Sequence, residues 1–304
     1  MKVFVRSVGL LGPGLTSWAS AQSVLRGSEP YVVAKTVLPP PARLQPAERR
    51  RAGDAIKLAM AVADQAVLAA AMDPQTLATV FTSSSGEGTN CHVICETLAS
   101  DNRLISPTRF ANSVHNAPSG YWHIAVASRA PSTSLCAFDG SFAAGLIEAA
   151  SQCLTTQAPV LLVGSDTPYP EPLHTMRPLA DSFGMAMVLT PQAGDASLEA
   201  PAAPASLASL ASLEITLVDS LETPSSVCTE PLLEFLRAHT PAAHALPLLQ
   251  ALARGAPGRT TLSIDYLPTL AMQIDVTCAN VLTTDILNAS VSPANVSTTN
   301  KAAR

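Results

Sequence analysis

Charge and aromatic surface are what this sequence has least of. Charged residues are 13% and aromatics 4% of its 304 residues, with two tryptophans. The formal net charge of −5 excludes nucleic acid as the main partner, because neutralising phosphates takes a basic surface. No apolar run reaches the roughly 18–20 residues of a membrane span. The six cysteines are scattered through the chain rather than grouped, which fits reduced thiols and the cytoplasm better than a disulfide framework. Cys91, His92 and Cys95 are the one tight group of metal-ligating residue types, but no second pair stands at the spacing a four-ligand zinc site needs. The expectation there is a helix after a glycine turn, with no metal and no cofactor.

What is abundant is small and apolar. Hydrophobic residues make up 47% of the chain and the mean hydropathy is +0.26, much of it from alanine. So apolar a chain with so few charges is expected to cover part of its surface against another subunit. Its length suits one domain with appendages rather than two full domains. Lys2, Arg6 and Ala19-Ser20-Ala21 imitate a secretory signal. Arg6 interrupts the apolar stretch, however, and Gly12-Pro13-Gly14 turns the chain in its middle, so a strand and a turn are expected instead.

The periodicity supports a layered α/β core. Val3–Val8 reads as a strand and Leu15–Arg26 as a helix stopped by Gly27. A proline-rich extended stretch spans Leu38–Pro46. Arg49–Met72 has the clearest helical spacing, through Ile56, Leu58, Ala59, Val62, Ala66, Val67 and Ala70. Thr79–Thr82, Ser132–Ala137, Pro159–Gly164 and Met185–Leu189 read as strands, and Gly140–Gln152 as an alanine-rich helix. Residues 191–213 are rich in Ala, Ser and Pro, as a linker or insertion would be. Short helices at Pro231–Ala238 and Leu246–Arg254 and strand pieces around Pro268 follow. The resulting division is 1–190 as the main domain, 191–213 as the linker, 214–276 as a reduced part packed on the core, and 277–304 as a polar tail.

One segment is specific. Ser106-Pro107, Asn116, Gly120 and Arg129-Ala130-Pro131-Ser132 stand at the spacing found ahead of the nucleophile turn in β-ketoacyl synthases. Ser7–Gly14 and Pro159–Ser165 resemble that family's first strand and the strand after its nucleophile helix. The chain therefore resembles a β-ketoacyl synthase over residues 3–190. The resemblance implies a thiolase-like α/β/α layered fold with a truncated C-terminal half.

Counted from Ser106 without a gap, the nucleophile position falls on Asp139, and the register holds through Gly164. A cysteine there would sit at a helix N-terminus, where the dipole and free N–H groups stabilise thiolate and let it accept an acyl chain. Aspartate is a poor acyl acceptor from a thioester, and its expected place is as N-cap of the helix starting at Gly140. Cys136, three residues earlier, is expected inside the sheet as an inert thiol. The family's two catalytic histidines lie in a His-Gly-Thr turn and an Asn-x-Phe-Gly-Phe-Gly-Gly loop, and neither motif occurs. His239 and His244 are read as surface residues. A condensing site without that electrophilic help would be crippled even with a cysteine.

Together these features resemble the ketosynthase-like chain length factors, especially the short kind associated with bacterial aryl polyene pathways. The resemblance implies a non-catalytic subunit in a heterodimer with an active β-ketoacyl synthase. It would help shape the partner's acyl tunnel during polyene, polyketide or fatty-acid-like synthesis on an acyl carrier protein. It also implies an interface from Ser132, Ser134, Cys136 and Phe138, with Phe110, Ser113, Val114, Asn116, Ala117 and Pro118 facing the partner's tunnel.

Two other readings stay open. One is an acyltransferase or decarboxylase working through Cys136 on carrier-bound chains. The other is a stand-alone homodimeric module that binds an acyl chain. Arg49-Arg50-Arg51, at the start of the expected helix, opposes its dipole. The cluster is either a solvated face or a docking patch for an acidic carrier protein.

Overall fold

The computed structural model describes residues 1–193 and 209–278. They form one mixed sheet of eight strands in the order β3-β2-β4-β5-β1-β6-β8-β7. The strands are β1 (Lys2–Leu11), β2 (Ala78–Thr82), β3 (Ser132–Leu135), β4 (Val160–Asp166), β5 (Phe183–Thr190), β6 (Ala211–Asp219), β7 (Arg259–Leu267) and β8 (Leu270–Cys278). β2 runs parallel to both β3 and β4, and every other pairing is antiparallel.

The middle strands β4 and β5 are mostly apolar because helices cover both of their faces. All of β4 and β5 is buried. One face packs against α1 (Trp18–Arg26), α7 (Ser141–Thr156), α9 (Pro231–His239) and α10 (Leu246–Arg254), and the single-turn α8 (Leu173–Met176) lies between β4 and β5 in the chain. The other packs against α3 (Asp54–Ala70) and α6 (Ala117–Val126). The layers are therefore α/β/α, as expected.

The ribbon β6-β8-β7 is different, because it is apolar on one face only. Leu213, Ile215, Ile264, Met272, Ile274 and Val276 join the core. The alternate positions carry ion pairs and hydrogen bonds: Lys2–Glu214 at 3.5 Å, Arg259 with Asp275, and Thr261 Oγ1 donating to Asp275 at 2.5 Å. This period-two alternation is what a half-solvated antiparallel sheet requires.

The expected single helix from Arg49 to Met72 is two helices, α2 (Pro46–Arg51) and α3, broken at Ala52-Gly53. A Cβ on Gly53 would stand 2.6 Å from Glu87 Oε2, so the break lets a buried carboxylate approach the start of α3. The three arginines consequently occupy the last turn of α2, where they complement the dipole rather than oppose it. β6 opens at Ala211, inside the stretch read as a linker. Thr277 and Cys278 finish β8, at the start of the stretch read as a tail. The remainder of those two stretches, 194–208 and 279–304, lies outside the described residues.

Candidate functional site

The site is the turn that carries the chain from β3 into α7. After Leu135 the strand ends, and Phe138–Gly140 forms a 3-10 turn. Ser141 Oγ locks this turn by accepting the Ala137 amide at 3.0 Å and donating to the Phe138 carbonyl at 2.6 Å. Gly140 must be glycine, because a Cβ there would lie 2.1 Å from the Tyr266 carbonyl. Phe138 is held at φ +51°, a left-handed conformation that costs a non-glycine residue on the order of 1–3 kcal/mol.

Asp139 does not cap α7. The 3-10 turn makes Gly140 the N-cap residue, without a side-chain bond. The Asp139 carboxylate instead accepts from Arg177 Nη2 at 2.6 Å. With Asp139's side chain 57% exposed, that pair stabilises by at most about 1 kcal/mol. The guanidinium also lies 3.7 Å from the centroid of the Phe138 ring, a contact that contributes about 0.5–2 kcal/mol and so helps offset the backbone strain.

Asp139 and Arg177 border a cleft of about 280 Å³ whose other walls include Met176, His239, Thr240 and His244. The two histidines read as surface residues therefore meet the nucleophile-position aspartate across one cleft. His239 is exposed, its Nδ1 donating to the Phe235 carbonyl at 2.8 Å and its ring stacked on Phe235. His244 is half-buried, and its pKa is pushed below the ordinary 6.5 by burial first and by the Arg237 charge second. Thr240 Oγ1 is buried and has no hydrogen-bond partner among the described residues. Cys136 does not line this cleft.

Nor does Cys136 lie inside the sheet. β3 is the edge strand and ends one residue earlier, so the thiol is exposed. Its Sγ donates to the Ser84 carbonyl at 3.4 Å.

Asp166, at the end of β4, was not legible as important, yet it ties the segment that carries His244 to the end of β2. It is 1% exposed. Its Oδ1 accepts from Ser83 Oγ, the Ser84 amide and Ser84 Oγ at 3.0, 2.7 and 2.8 Å. Its Oδ2 accepts the Ala242 amide at 2.8 Å, two residues from His244. The only sequence signal was a carboxylate ending an otherwise apolar strand.

The residues expected at an interface divide by exposure. Phe110, Val114, Asn116, Ser132, Cys136 and Phe138 are exposed, and Ser113, Pro118 and Ser134 are half-buried. Ala117 is buried in the core under α3 and α6, because it starts α6 on its inner face, so it is not available to a partner. Leu104 and Ile124 are exposed apolar residues that the sequence did not single out.

Among the described residues, β3 has no strand on its outer side and presents unpaired backbone there. The Thr79 amide donates to Pro131 O and the Ser83 amide to Leu135 O. Alternate residues of a parallel ladder point the same way, so the N–H and C=O of Ser132 and Ser134 face away from β2.

A second, open cavity of about 450 Å³ lies between α2, α4 (Gly88–Ala99) and α5 (Pro107–Asn112), lined by Arg50, Arg51, Arg109 and Glu87 among others. Glu87 is buried and accepts the Ala55 amide at 3.3 Å, and burial pushes its pKa up. Cys91, His92 and Cys95 lie on α4. Among the described residues no three His, Cys, Asp or Glu side chains converge as metal ligands. No described helix is long and apolar enough to cross a membrane.

The family described as beta-ketoacyl synthase, N-terminal domain, matches residues 18–240. No protein of curated function matches the chain. Among solved structures, the fold is similar to a chain of the ketosynthase (ApeO) in complex with its chain length factor (ApeC) from Xenorhabdus doucetiae. That similarity has a TM-score of 0.65 and 22% identity, over 91% of this chain and 99% of that one. The ishigamide ketosynthase/chain length factor is similar at TM-score 0.66 and 12% identity, over 91% and 99%. A type II polyketide synthase ketosynthase in complex with its acyl-carrier protein, AntDE:AntF, is similar at TM-score 0.69 and 10% identity, with the same coverage. At these identities the structures establish a shared fold.

Proposed function

The chain belongs to the beta-ketoacyl synthase family, and on that premise we propose that it is a non-catalytic, chain-length-factor-like subunit. Its partner is an active β-ketoacyl synthase whose acyl tunnel it helps to shape, in polyene or polyketide synthesis of the aryl polyene kind. The observation that carries this reading is the β3–α7 turn. Where condensation needs a nucleophile the turn holds Asp139, tied to Arg177 at 2.6 Å, and the strand that feeds it lies open at the sheet edge. An open edge strand is a template for pairing with another chain. Phe138, three residues past the end of that strand, and Phe110 and Val114 are exposed and supply the apolar surface that a subunit contact buries. The resemblance to a ketosynthase solved with its chain length factor supports the same pairing.

The location proposed is the cytoplasm, where carrier-bound acyl chains are elongated, and the carrier protein is the third component. Its dock on this subunit is the cavity between α2 and α5, where Arg50, Arg51 and Arg109 gather. Replacing Arg50 and Arg109 by Glu is expected to slow product formation by the assembled pair, and unchanged turnover would remove the dock from this subunit.

Co-expression with the ketosynthase encoded nearest to it is the test of assembly. The reading predicts a stable one-to-one heterodimer. A chain that stays monodisperse alone with that partner present contradicts it.

A further inference from the structure

We propose that Phe138 is a preorganised aromatic anchor for the ketosynthase partner, and that Arg177 is the positioning residue that holds it ready. The inference rests on the heterodimer reading above and names the contact that would dominate it.

Phe138 is 62% exposed, in a chain with few aromatics to spend on surface. Exposed though it is, little about it is free. Its backbone sits at φ +51°, in a turn fastened by Ser141 through two hydrogen bonds. Its ring lies against a guanidinium at 3.7 Å. That guanidinium is fixed in turn by Asp139 at 2.6 Å, and the Arg177 side chain is itself only 20% exposed.

An ordinary surface phenylalanine loses rotamer freedom when a partner captures it, and that loss weakens binding. Here the ordering is already complete in the free subunit, so more of the contact energy is expressed as affinity. Strain kept at a position that could have relaxed is also the kind found at binding sites.

Place decides the occupant. Phe138 follows the last residue of β3 by three positions, across the exposed Cys136. A subunit that pairs along the outward groups of Ser132 and Ser134 meets this ring at the end of the shared strand. The fitting partner is a second subunit of this fold that offers an edge strand and, beside it, an apolar pocket of aromatic width. Asp139 then has a structural task in place of a chemical one. It anchors Arg177 under the ring.

The test measures the dissociation constant of the heterodimer formed with the ketosynthase encoded nearest to this chain. Phe138→Ala gives up, in the free subunit, the ring's contact with Arg177 and is expected to weaken the complex roughly thirtyfold, in the range of an interface hot spot. Arg177→Ala is expected to weaken it by a smaller factor. The double variant should bind no more weakly than Phe138→Ala alone, because Arg177 acts only through the ring.

Failure separates cleanly. If the wild-type chain forms no heterodimer, the functional reading fails and the anchor with it. If the wild type binds and Phe138→Ala binds equally well, the anchor is overturned and the reading stands. If the two single effects simply add, Arg177 is not the positioning residue. Should Arg177→Ala not fold, Asp139→Asn, which loosens the guanidinium without removing it, carries the same comparison.

Discussion

The carboxylate of Asp166 accepts the amide of Ala242, 76 residues further along the chain, at 2.8 Å. Its other oxygen holds Ser83 and Ser84. One buried side chain thus fastens the segment between α9 and α10, which carries His244, to the ends of β2 and β4. Asp166→Ala would leave the Ser84 and Ala242 amides buried and unpaired, at about 3 kcal/mol or more. The expected drop in thermal midpoint is roughly 5–10 °C. A shift within the error of the melt would mean that this cross-link holds nothing together.

The edge of β3 makes a prediction of its own. Ser134 directs its N–H away from β2, so proline there removes a donor the folded chain does not use. Ser134→Pro should keep the isolated subunit folded, losing about 1 kcal/mol with the Ser119–Ser134 hydroxyl contact at 3.0 Å. It should weaken the heterodimer at least about tenfold, since strand pairing across the interface needs that donor. Sedimentation of the mixed subunits distinguishes the two effects.

Acid should loosen the cleft before it unfolds the carboxylate network. Burial holds the pKa of His244 below 6.5, helped by Arg237. Burial does the same for His123, whose Nε2 lies 3.0 Å from Thr79 Oγ1. Above pH 6.5 both rings are neutral whether the chain is folded or unfolded, and they impose no cost. As pH falls below 6.5 the unfolded chain takes up protons that the folded chain resists, so stability declines until the depressed folded values are passed. Glu87, raised by burial from 4.5, works in the opposite sense at the acid end. Denaturant midpoints measured between pH 8 and 5 should fall, and His244→Asn should flatten the slope. An unchanged slope would mean His244 titrates alike in both states.

The thiols should divide by exposure. Cys91, Cys95 and Cys136 are exposed and should react with a small disulfide reagent in the native chain. Cys153 and Cys228 are buried, with pKa values pushed up to about 11 and about 12, and should stay silent until unfolding. Adding the ketosynthase should protect Cys136 selectively, as read by mass spectrometry of the labelled peptides.

These tests lean on features that were unequally visible in the sequence. The α/β order and the apolar centre of β4 followed from local patterns, because a strand buried on both faces reads as continuous apolar residues, whereas its polar end at Ser165 and Asp166 did not. The break at Gly53 did not, since its cause is Glu87, more than thirty residues away. Asp139 looked like a helix cap because Asp before an alanine-rich helix commonly is one. The 3-10 turn that displaces it depends on Ser141 and on the crowding of Gly140 by Tyr266. His239 is on the surface as its setting implies, but His244 is half-buried, because the fold brings the segment between α9 and α10 to the Asp139 turn. Cys136 was misjudged because nothing local reveals that β3 is the edge strand.

In the proposed heterodimer this subunit assists acyl transfer without accepting the acyl group. Intact-mass spectrometry of the assembled heterodimer, incubated with an acyl-carrier thioester, tests it most directly. An acyl adduct is expected on the ketosynthase partner, with an unchanged mass for this chain. An adduct on this chain, above all one mapped to Cys136, would contradict it.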